Sequence, residues 1–263
     1  MEVYILSAGR PDTQPTWEAL PESVREITRV VIQQKERDLY AKFIENFPDN
    51  YLILPADIDR ISPTRQYLLD RCQSEKLIML DDDLTFSYRA VPSSVKLTPQ
   101  TPQEVERMFS DINYALDNYA HIAVSTREGN NHVENSVKEV GRALRFHAMI
   151  APVVRQNARF DRIEFKQDFD YTLQMLRAGH PNLIFYNYAH NQPGSNKPGG
   201  CSTYRSHEVL ERCAHELHSL HPEFVTVVEK ETKGAWGGGV RTDVRIKWKQ
   251  AYESSLKNEN STR

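Results

Sequence analysis

The chain has 263 residues and a formal net charge of −3, with 39% hydrophobic and 26% charged residues. This size allows one large α/β domain or two small ones, and the charge excludes a general attraction to nucleic acid, so any such binding depends on local patches. The sequence has no membrane-spanning run or signal-peptide pattern, and its three scattered cysteines exclude a disulfide framework and a zinc site, so a cytoplasmic protein is predicted.

The first ninety residues alternate between predicted strands and helices. Strands are predicted at residues 3–6, 28–32, 51–55 and 77–80, and helices at residues 36–47 and 62–72. Ser62 and Pro63 are typical of an N-cap and a first helical position. Such an alternation favours a parallel, doubly wound sheet.

Two segments of this half carry residues suited to a phosphate ligand. Ser7 and Arg10 follow the first strand in a loop of small residues, which fits either a phosphate-binding loop or an ordinary strand–loop junction. Arg65 lies in the first turns of the predicted helix at 62–72, where acids are more usual. It either faces a diphosphate or is solvated.

Three consecutive carboxylates follow the apolar strand at 77–80. Asp81, Asp82 and Asp83 fall at its carboxyl end, where open α/β sheets bind ligands. If the strand alternation continues, Asp81 and Asp83 point one way and Asp82 the other. Two such carboxylates can hold Mn²⁺ or Mg²⁺ together with substrate phosphates. The alternative is a surface turn that keeps the strand end soluble.

The remaining elements continue the α/β pattern. Helices are predicted at 102–119, 168–178 and 206–220, and strands at 122–127, 144–151, 182–188 and 222–228. The polar segment 128–139 predicts a mobile loop over a site. The glycine- and proline-rich segment 193–200 predicts a lid or hinge, and candidate site residues flank it.

Two acids and a histidine are the candidate catalytic and metal-binding groups of this half. Asp168 and Asp170 begin a helix that Gly179 is expected to end. Either acid is a candidate general base, and Asp168 is equally a helix cap that the helix dipole keeps ionised. His190 ends a predicted strand, where it is either a third metal ligand or a structural residue.

Basic residues concentrate in two regions, which suit either a phosphate-rich acceptor or a solvated, packed surface. The first region comprises Arg142, Arg145, Arg155, Arg159, Arg162 and Lys166. The second comprises Lys233, Arg241, Arg245, Lys247, Lys249, Lys257 and Arg263, with Trp236, Trp248 and Tyr252 interleaved.

The ordered set of a strand into DDDLTF, a QDFD helix and a strand ending in histidine resembles the GT-A fold of nucleotide-sugar glycosyltransferases. The resemblance implies a single α/β domain with a mixed, mostly parallel sheet flanked by helices. It implies a donor, expected to be a UDP-sugar, contacted by Ser7, Arg10, Arg65, Asp81 and Asp82. The metal ion would be held by Asp81, Asp83 and His190. Gln167 replaces the usual glutamate, which leaves the base open between Asp168 and Asp170.

A narrower resemblance rests on SPTRQYLLD, LDDDLTF, DFDYTLQMLRAG, PGGCSTYR and RTDVRIKWKQAY. These segments are similar to the TET-associated glycosyltransferases of bacteriophages, which implies double-stranded DNA containing 5-hydroxymethylcytosine as the acceptor and, for a phage protein, the host cytoplasm. The expected organisation is a domain at 1–230, with a donor half at 1–90 and an acceptor half at 91–230, followed by a basic, aromatic segment at 231–263.

Three rival functions remain open at this point. The first is transfer to a glycan, lipid or protein acceptor, the second is nucleotidyl transfer with release of pyrophosphate, and the third is a non-catalytic binding module. The sugar, inversion or retention, and the oligomeric state are left open by the sequence.

Overall fold

A ten-stranded mixed β-sheet forms the centre of the molecule. The computed structural model describes residues 1–92, 94–130, 135–192, 199–232 and 239–261. None of the helices in this described part is both long and apolar enough to cross a membrane.

The strands and helices follow the chain in this order. The strands are β1 (Glu2–Leu6), β2 (Thr28–Ile32), β3 (Tyr51–Ile53), β4 (Lys76–Asp81), β5 (Thr85–Tyr88), β6 (Thr98–Pro99), β7 (His121–Thr126), β8 (Val137–Glu139), β9 (Phe146–Ile150), β10 (Asn182–Asn191), β11 (Val225–Thr232) and β12 (Gly239–Ile246). The helices are α1 (Pro15–Ala19), α2 (Glu22–Arg25), α3 (Ala41–Asn46), α4 (Ile61–Arg71), α5 (Pro102–Ala115), α6 (Ala151–Asn157), α7 (Gln167–Arg177), α8 (His207–Leu220) and α9 (Trp248–Ser261).

The central sheet has the order β3-β2-β1-β4-β9-β7-β10-β5-β6, and β8 pairs with β10. Within the described residues, β9, β5 and β8 run against their neighbours, and the other seven strands of this sheet share one direction. The predicted α/β class, with a mixed, mostly parallel sheet flanked by helices, is therefore confirmed. β11 and β12 form a separate antiparallel hairpin.

β4 is buried on both faces, as its apolar sequence predicts. Ile78 and Leu80 pack into the core on one side of the sheet, and Leu77 and Met79 pack into the core on the other side. Because successive side chains of a strand point to opposite faces, a four-residue apolar run supplies both cores at once. The run therefore fixes β4 in the middle of the sheet and brings Asp81 to its end.

Several predicted boundaries are wrong. α4 begins at Ile61 with Arg60 as its N-cap, and the hydroxyl of Ser62 donates instead to the carbonyl oxygens of Ile163 and Glu164, each at 2.7 Å. The helix expected at 36–47 is confined to α3, and α1 lies in a segment for which no helix is predicted. β8 lies in the segment predicted as a loop at 128–139, whose residues 131–134 are outside the described residues.

The end of α7 agrees with the sequence. Gly179 has φ +88°, and its amide donates to the carbonyl of Leu176 while the amide of His180 donates to Met175. This pair of bonds is the Schellman arrangement, which needs a left-handed residue after the helix and therefore favours glycine. The other end of α7 is unusual because Lys166, its N-cap, also has a positive φ of 63°.

The C-terminal hairpin and α9 pack on α7 and α8 through a third apolar cluster. Val225, Val244 and Ala251 are buried in this cluster with Leu173 of α7 and Leu217 of α8. Trp248 and Tyr252 also pack against it, so these two aromatics of the tail serve the core. Lys233, Trp236 and Arg263 lie outside the described residues.

Candidate active-site cleft

A cleft of about 630 Å³ opens where β1 and β4 end and α7 begins. Seven of the predicted site residues line it together: Ser7, Arg10, Arg65, Asp81, Asp82, Asp83 and Asp168. Its wall is completed by residues from outside the predicted set, including Gln192, Cys201, Tyr204, Arg241 and Asp243. Asp170 and His190 are not among the described residues that line this cleft.

Asp82 ties the loop after β1 to the end of β4. It is 3% exposed, and it accepts hydrogen bonds from the Ser7 hydroxyl at 2.7 Å and from the Arg10 guanidinium. Ser7 in turn accepts from Gln14 at 2.8 Å and bonds Tyr40 at 2.7 Å. Burial raises the pKa of Asp82 to about 6 against the opposing effects of Arg10 and Ser7. The structure thus uses Asp82 and Ser7 to position Arg10 in the cleft.

Asp81 and Asp83 do not follow the predicted strand alternation, because β4 ends at Asp81 and the chain then turns. Asp81 Oδ1 accepts from Arg65 Nη2 at 2.9 Å. Asp83 Oδ2 accepts from Gln192 Nε2 at 2.6 Å and from Arg10 Nη1 at 3.0 Å. Asp83 Oδ1 is buried without a hydrogen-bond partner among the described residues.

Arg65 is a buried cation in the wall of the cleft. It is 2% exposed, and its Nη1 lies 3.3 Å from His147 Nε2. Burial lowers the pKa of His147 well below its usual value, so the ring is neutral and Nε2 accepts from Arg65. Burial raises the pKa of Asp81 and of Asp168, and in both cases Arg65 is the first group that opposes the rise. One guanidinium therefore acts on both carboxylates.

The structure separates the two candidate bases. Asp168 lies in the first turn of α7 and lines the cleft, with Oδ1 accepting from the amide of Phe169 at 3.0 Å. The expectation that the helix dipole keeps Asp168 ionised misses the larger effect, because burial raises its pKa. A carboxylate of raised pKa is a stronger proton acceptor once it is ionised.

Asp170 is enclosed in a buried network instead. It is fully buried and lies 2.7 Å from His221 Nε2, while Gln174 Nε2 donates to it at 3.0 Å and Arg162 Nε lies at 3.4 Å. Arg177 donates to His221 Nδ1 at 3.0 Å, which leaves Nε2 as the protonated nitrogen that donates to Asp170. The network links α7 to the residue that follows α8.

His190 lies inside the sheet, in register with Phe86 of β5 and Thr126 of β7. Burial lowers the pKa of His190 to about 3, and Arg145 adds to the effect. The neutral ring donates from Nε2 to the carbonyl of Leu144 at 3.0 Å, and Nδ1 has no partner among the described residues. The structure does not bring His190 to the cleft with Asp81 and Asp83.

The carboxylates after β4 fit a hard divalent cation in part. Asp83 offers an orphaned buried oxygen, and carboxylate oxygens are the ligands that Mn²⁺ and Mg²⁺ prefer. Within the described ranges, no group of three or more His, Cys, Asp or Glu side chains is arranged to hold a metal. A cation here would therefore take its remaining ligands from water and from a ligand's phosphates, as Mg²⁺ usually does.

Sequence reasoning singled out the segment 193–200 but missed that its last residues, Gly199 and Gly200, lie against Arg10. Gly199 has φ +92°, and a Cβ atom built there would lie 2.7 Å from Arg10 Cγ. The amide of Gly200 donates to the carbonyl of Ala8 at 2.8 Å, and Tyr204 stacks on Phe165. The two glycines were the available signal, since close backbone approach requires a residue without a side chain. The rest of the predicted lid, residues 193–198, lies outside the described residues.

Comparison with known proteins gives a family match over most of the chain. The model of the family described as TET-Associated Glycosyltransferase matches residues 1–199. Two curated relatives, from Enterobacteria phages T2 and T6, are both named Beta-glucosyl-HMC-alpha-glucosyl-transferase, and each is 22% identical over 185 residues. Each match covers 65% of this chain and 65% of the relative, so the chain spans slightly less than two thirds of the length of these relatives.

Similar solved structures include S. aureus TarS 1–349 in complex with UDP-GlcNAc, at 12% identity and a TM-score of 0.48, covering 83% of this chain and 67% of that chain. A mycobacterial protein matches at 11% identity and a TM-score of 0.49, covering 93% of this chain and 83% of that chain. GalNAc-T7 with UDP, GalNAc and Mn²⁺ matches at 9% identity and a TM-score of 0.45, covering 73% of this chain and 42% of that chain.

Proposed function

The chain belongs to the TET-associated glycosyltransferase family, and from that premise we propose that it transfers a sugar from a UDP-sugar to the hydroxymethyl group of 5-hydroxymethylcytosine in DNA. The observation that carries the proposal is the single cleft lined both by the acids after β4 and by Asp168. A transferase needs a diphosphate site and a proton acceptor within reach of one sugar, and this cleft holds residues suited to each task.

The donor is assigned to the end of the cleft formed by Arg10, Arg65 and the acids after β4. Asp81 and Asp83 would hold Mn²⁺ or Mg²⁺, which supplies positive charge against the negative charge that builds on the departing diphosphate. Arg10, which donates hydrogen bonds to Asp82 and Asp83, would contact the diphosphate directly. His190 as a third ligand remains a prediction from the sequence, with no contact to these acids to support it.

Asp168 is assigned as the general base. It would take the proton from the hydroxymethyl oxygen as that oxygen attacks the anomeric carbon and the bond from the sugar to the diphosphate breaks. Its place in the cleft and its raised pKa support this role. Asp170 is a poor candidate, because its buried oxygens are engaged by His221, Gln174 and Arg162.

The acceptor assignment rests on the family and on the names of the phage relatives, both of which contain HMC. A nucleobase that is stacked inside a duplex cannot enter a cleft of this kind, so the target nucleotide must be flipped out of the stack. The relatives' names also contain a glucosyl-HMC group, so DNA that already carries one sugar is a second acceptor to be tested.

The deciding experiment incubates the protein with UDP-sugars and Mn²⁺ on duplexes carrying cytosine, 5-hydroxymethylcytosine or its glucosylated form, followed by nucleoside mass spectrometry. We expect a hexose mass added only to a modified duplex, with UDP as the co-product. Release of pyrophosphate would identify a nucleotidyltransferase, and transfer only to a glycan, lipid or protein acceptor would remove the DNA assignment.

The configuration of the product tests the base separately. An inverting reaction on an α-linked donor gives a β-linked product and needs a base that activates the acceptor. A β-linked sugar on the modified base therefore supports Asp168 in this role. An α-linked product, with configuration retained, contradicts it without affecting the acceptor assignment.

A further inference from the structure

The hairpin of β11 and β12 carries its basic side chains on one face and two of its glutamates on the other. In the antiparallel register, Lys230 pairs with Arg241, Val228 with Asp243 and Thr226 with Arg245. Because side chains alternate along a strand, these six residues share one face of the hairpin. Glu229 and Glu231 are in the other register and belong to the opposite face, whose Val225 and Val244 are buried in the core.

A single carboxylate organises the cations of this face. Asp243 Oδ2 accepts from Lys230 Nζ at 2.8 Å and from Arg241 Nη2 at 3.3 Å, and Oδ1 accepts from Lys166 Nζ at 3.2 Å. Burial alone would raise the pKa of Asp243, but these lysines and the Val244 amide lower it to about 2. Asp243 therefore stays charged and holds three cations that it can only partly neutralise.

Arg245 extends the same face beyond this cluster. It is exposed, and none of the ion pairs among the described residues includes it. On the described part of this face and its contact with α7, four cations (Lys166, Lys230, Arg241 and Arg245) therefore accompany one carboxylate. The excess of positive charge is local, because the whole chain has a net charge of −3.

This cationic face adjoins the proposed base. Arg241 and Asp243 line the same cleft as Asp168, and Lys166, which reaches Asp243, is two residues before Asp168 in the chain. The acids assigned to the donor lie at the end of β4, and they are paired with Arg10 and Arg65. An acceptor that offers its hydroxyl to Asp168 therefore lies beside the hairpin.

We propose that the polar face of this hairpin binds the phosphodiester backbone of the acceptor DNA strand and so holds the flipped nucleotide at Asp168. The inference rests on the proposed function for its partner, but it concerns a segment outside residues 1–199, which the family model matches. Phosphates supply the negative charge that Asp243 provides only in part, and Lys and Arg contacts to phosphate carry no sequence information. The hairpin is thus assigned to affinity, and recognition of the modified base is left to the cleft.

The test uses the full chain and two variants of the exposed cations, Arg245→Glu and Lys230→Gln. Lys42→Glu, an exposed residue of α3 that does not line the cleft, is the control for a change of charge. Fluorescence anisotropy measures Kd for a 5-hydroxymethylcytosine duplex and for an unmodified duplex over a range of salt concentrations. Steady-state kinetics measure KM for DNA and for the UDP-sugar, and thermal melting reports folding.

We expect each hairpin variant to weaken binding to both duplexes to the same extent and to reduce the slope of log Kd against log salt by about 1. KM for DNA rises, and KM for the UDP-sugar stays at the wild-type value. The Lys42→Glu variant should change none of these quantities.

The outcomes separate the inference from the proposed function. Folded hairpin variants with a wild-type salt slope and wild-type KM for DNA overturn the inference even if transfer to DNA is confirmed. A rise in KM for the UDP-sugar instead of DNA places the donor at the hairpin and also overturns it. A wild-type protein that binds neither duplex overturns it as well. Weakened duplex binding by a protein that transfers no sugar supports the inference and rejects the proposed function.

Discussion

Replacing Asp168 and Asp170 of α7 by asparagine, in two separate variants, is the most direct test of the site. Asp168→Asn keeps the shape of the side chain and the oxygen that accepts from the Phe169 amide, so the fold should be unaffected. It removes the proton acceptor from the cleft, which costs about 10²–10⁴ in kcat for a general base. Asp170→Asn should destabilise the fold and leave kcat unchanged, because the oxygens of Asp170 lie in a buried network outside the cleft.

The loss of stability expected for Asp170→Asn follows from the hydrogen-bond partners of Asp170. An asparagine there removes the charge facing Arg162 and presents an amide nitrogen to either His221 or Gln174, both of which donate to Asp170. Breaking a buried charged network by removing one partner costs about 3 kcal/mol. At about 2–4 °C per kcal/mol for a chain of this size, Tm falls by about 6–12 °C.

The assay pairs thermal melting with the rate of sugar transfer at saturating donor and DNA, measured on both variants below the lower Tm. We expect Asp168→Asn to be stable and inactive and Asp170→Asn to be destabilised and active. An active Asp168→Asn beside a stable, inactive Asp170→Asn would reverse the assignment of the base and refute the argument from burial.

Three further changes test other parts of the structure. Asp83→Asn, or removal of metal with EDTA, should lower kcat by at least about 10² in a protein that still folds, and full activity in EDTA would reject the metal site. Gly199→Ala should raise KM for the UDP-sugar, because the added Cβ displaces Arg10. Gly129→Ala is the control: Gly129 has φ +84°, and no atom lies within 4 Å of the added Cβ, so this variant should lower Tm through backbone strain and leave KM unchanged. Asp243, with its folded pKa lowered from 3.8 to about 2, stabilises the fold fully above its unfolded pKa, and this contribution disappears as the pH falls through the folded pKa. In denaturant titrations the free energy of unfolding of the wild type should therefore exceed that of Asp243→Asn by about 2 kcal/mol near pH 5, and the two values should converge near pH 2. A difference that does not change with pH would contradict the pKa shift.

Seven of the ten strands described for the central sheet could be predicted from the sequence because they are short apolar runs with clear ends, whereas β5, β6 and β8 contain no such run. β4 is the strongest case, since four apolar residues lead directly into three acids. The end of α7 was equally readable, because Gly179 has the conformation that a helix stop needs. The start of α4 was not, because Ser62 bonds carbonyls of residues 163 and 164, which are distant in the chain, in place of its own helix.

The composition of the site was predictable, but the partners of its residues were not. Alternation along a strand could not describe Asp83, which lies beyond the last strand residue, and Asp82 proved to hold Arg10. Nothing local distinguishes Asp168 from Asp170, because His221, the partner of Asp170, follows α8 some fifty residues later. Asp243 could not be foreseen for the same reason, since its role depends on a hairpin register and on Lys166.

The position of β9 has a consequence for the order of assembly. β4 pairs with β1 on one side, but its other neighbour, β9, is separated from it by more than sixty residues of intervening chain. A nascent polypeptide that has emerged only as far as α5 therefore carries an apolar strand with an open hydrogen-bonding edge, which invites intermolecular association. Fragments that end before Phe146 should accordingly accumulate in inclusion bodies, whereas a chain that extends past Ile150 contains β9, which pairs with the open edge of β4.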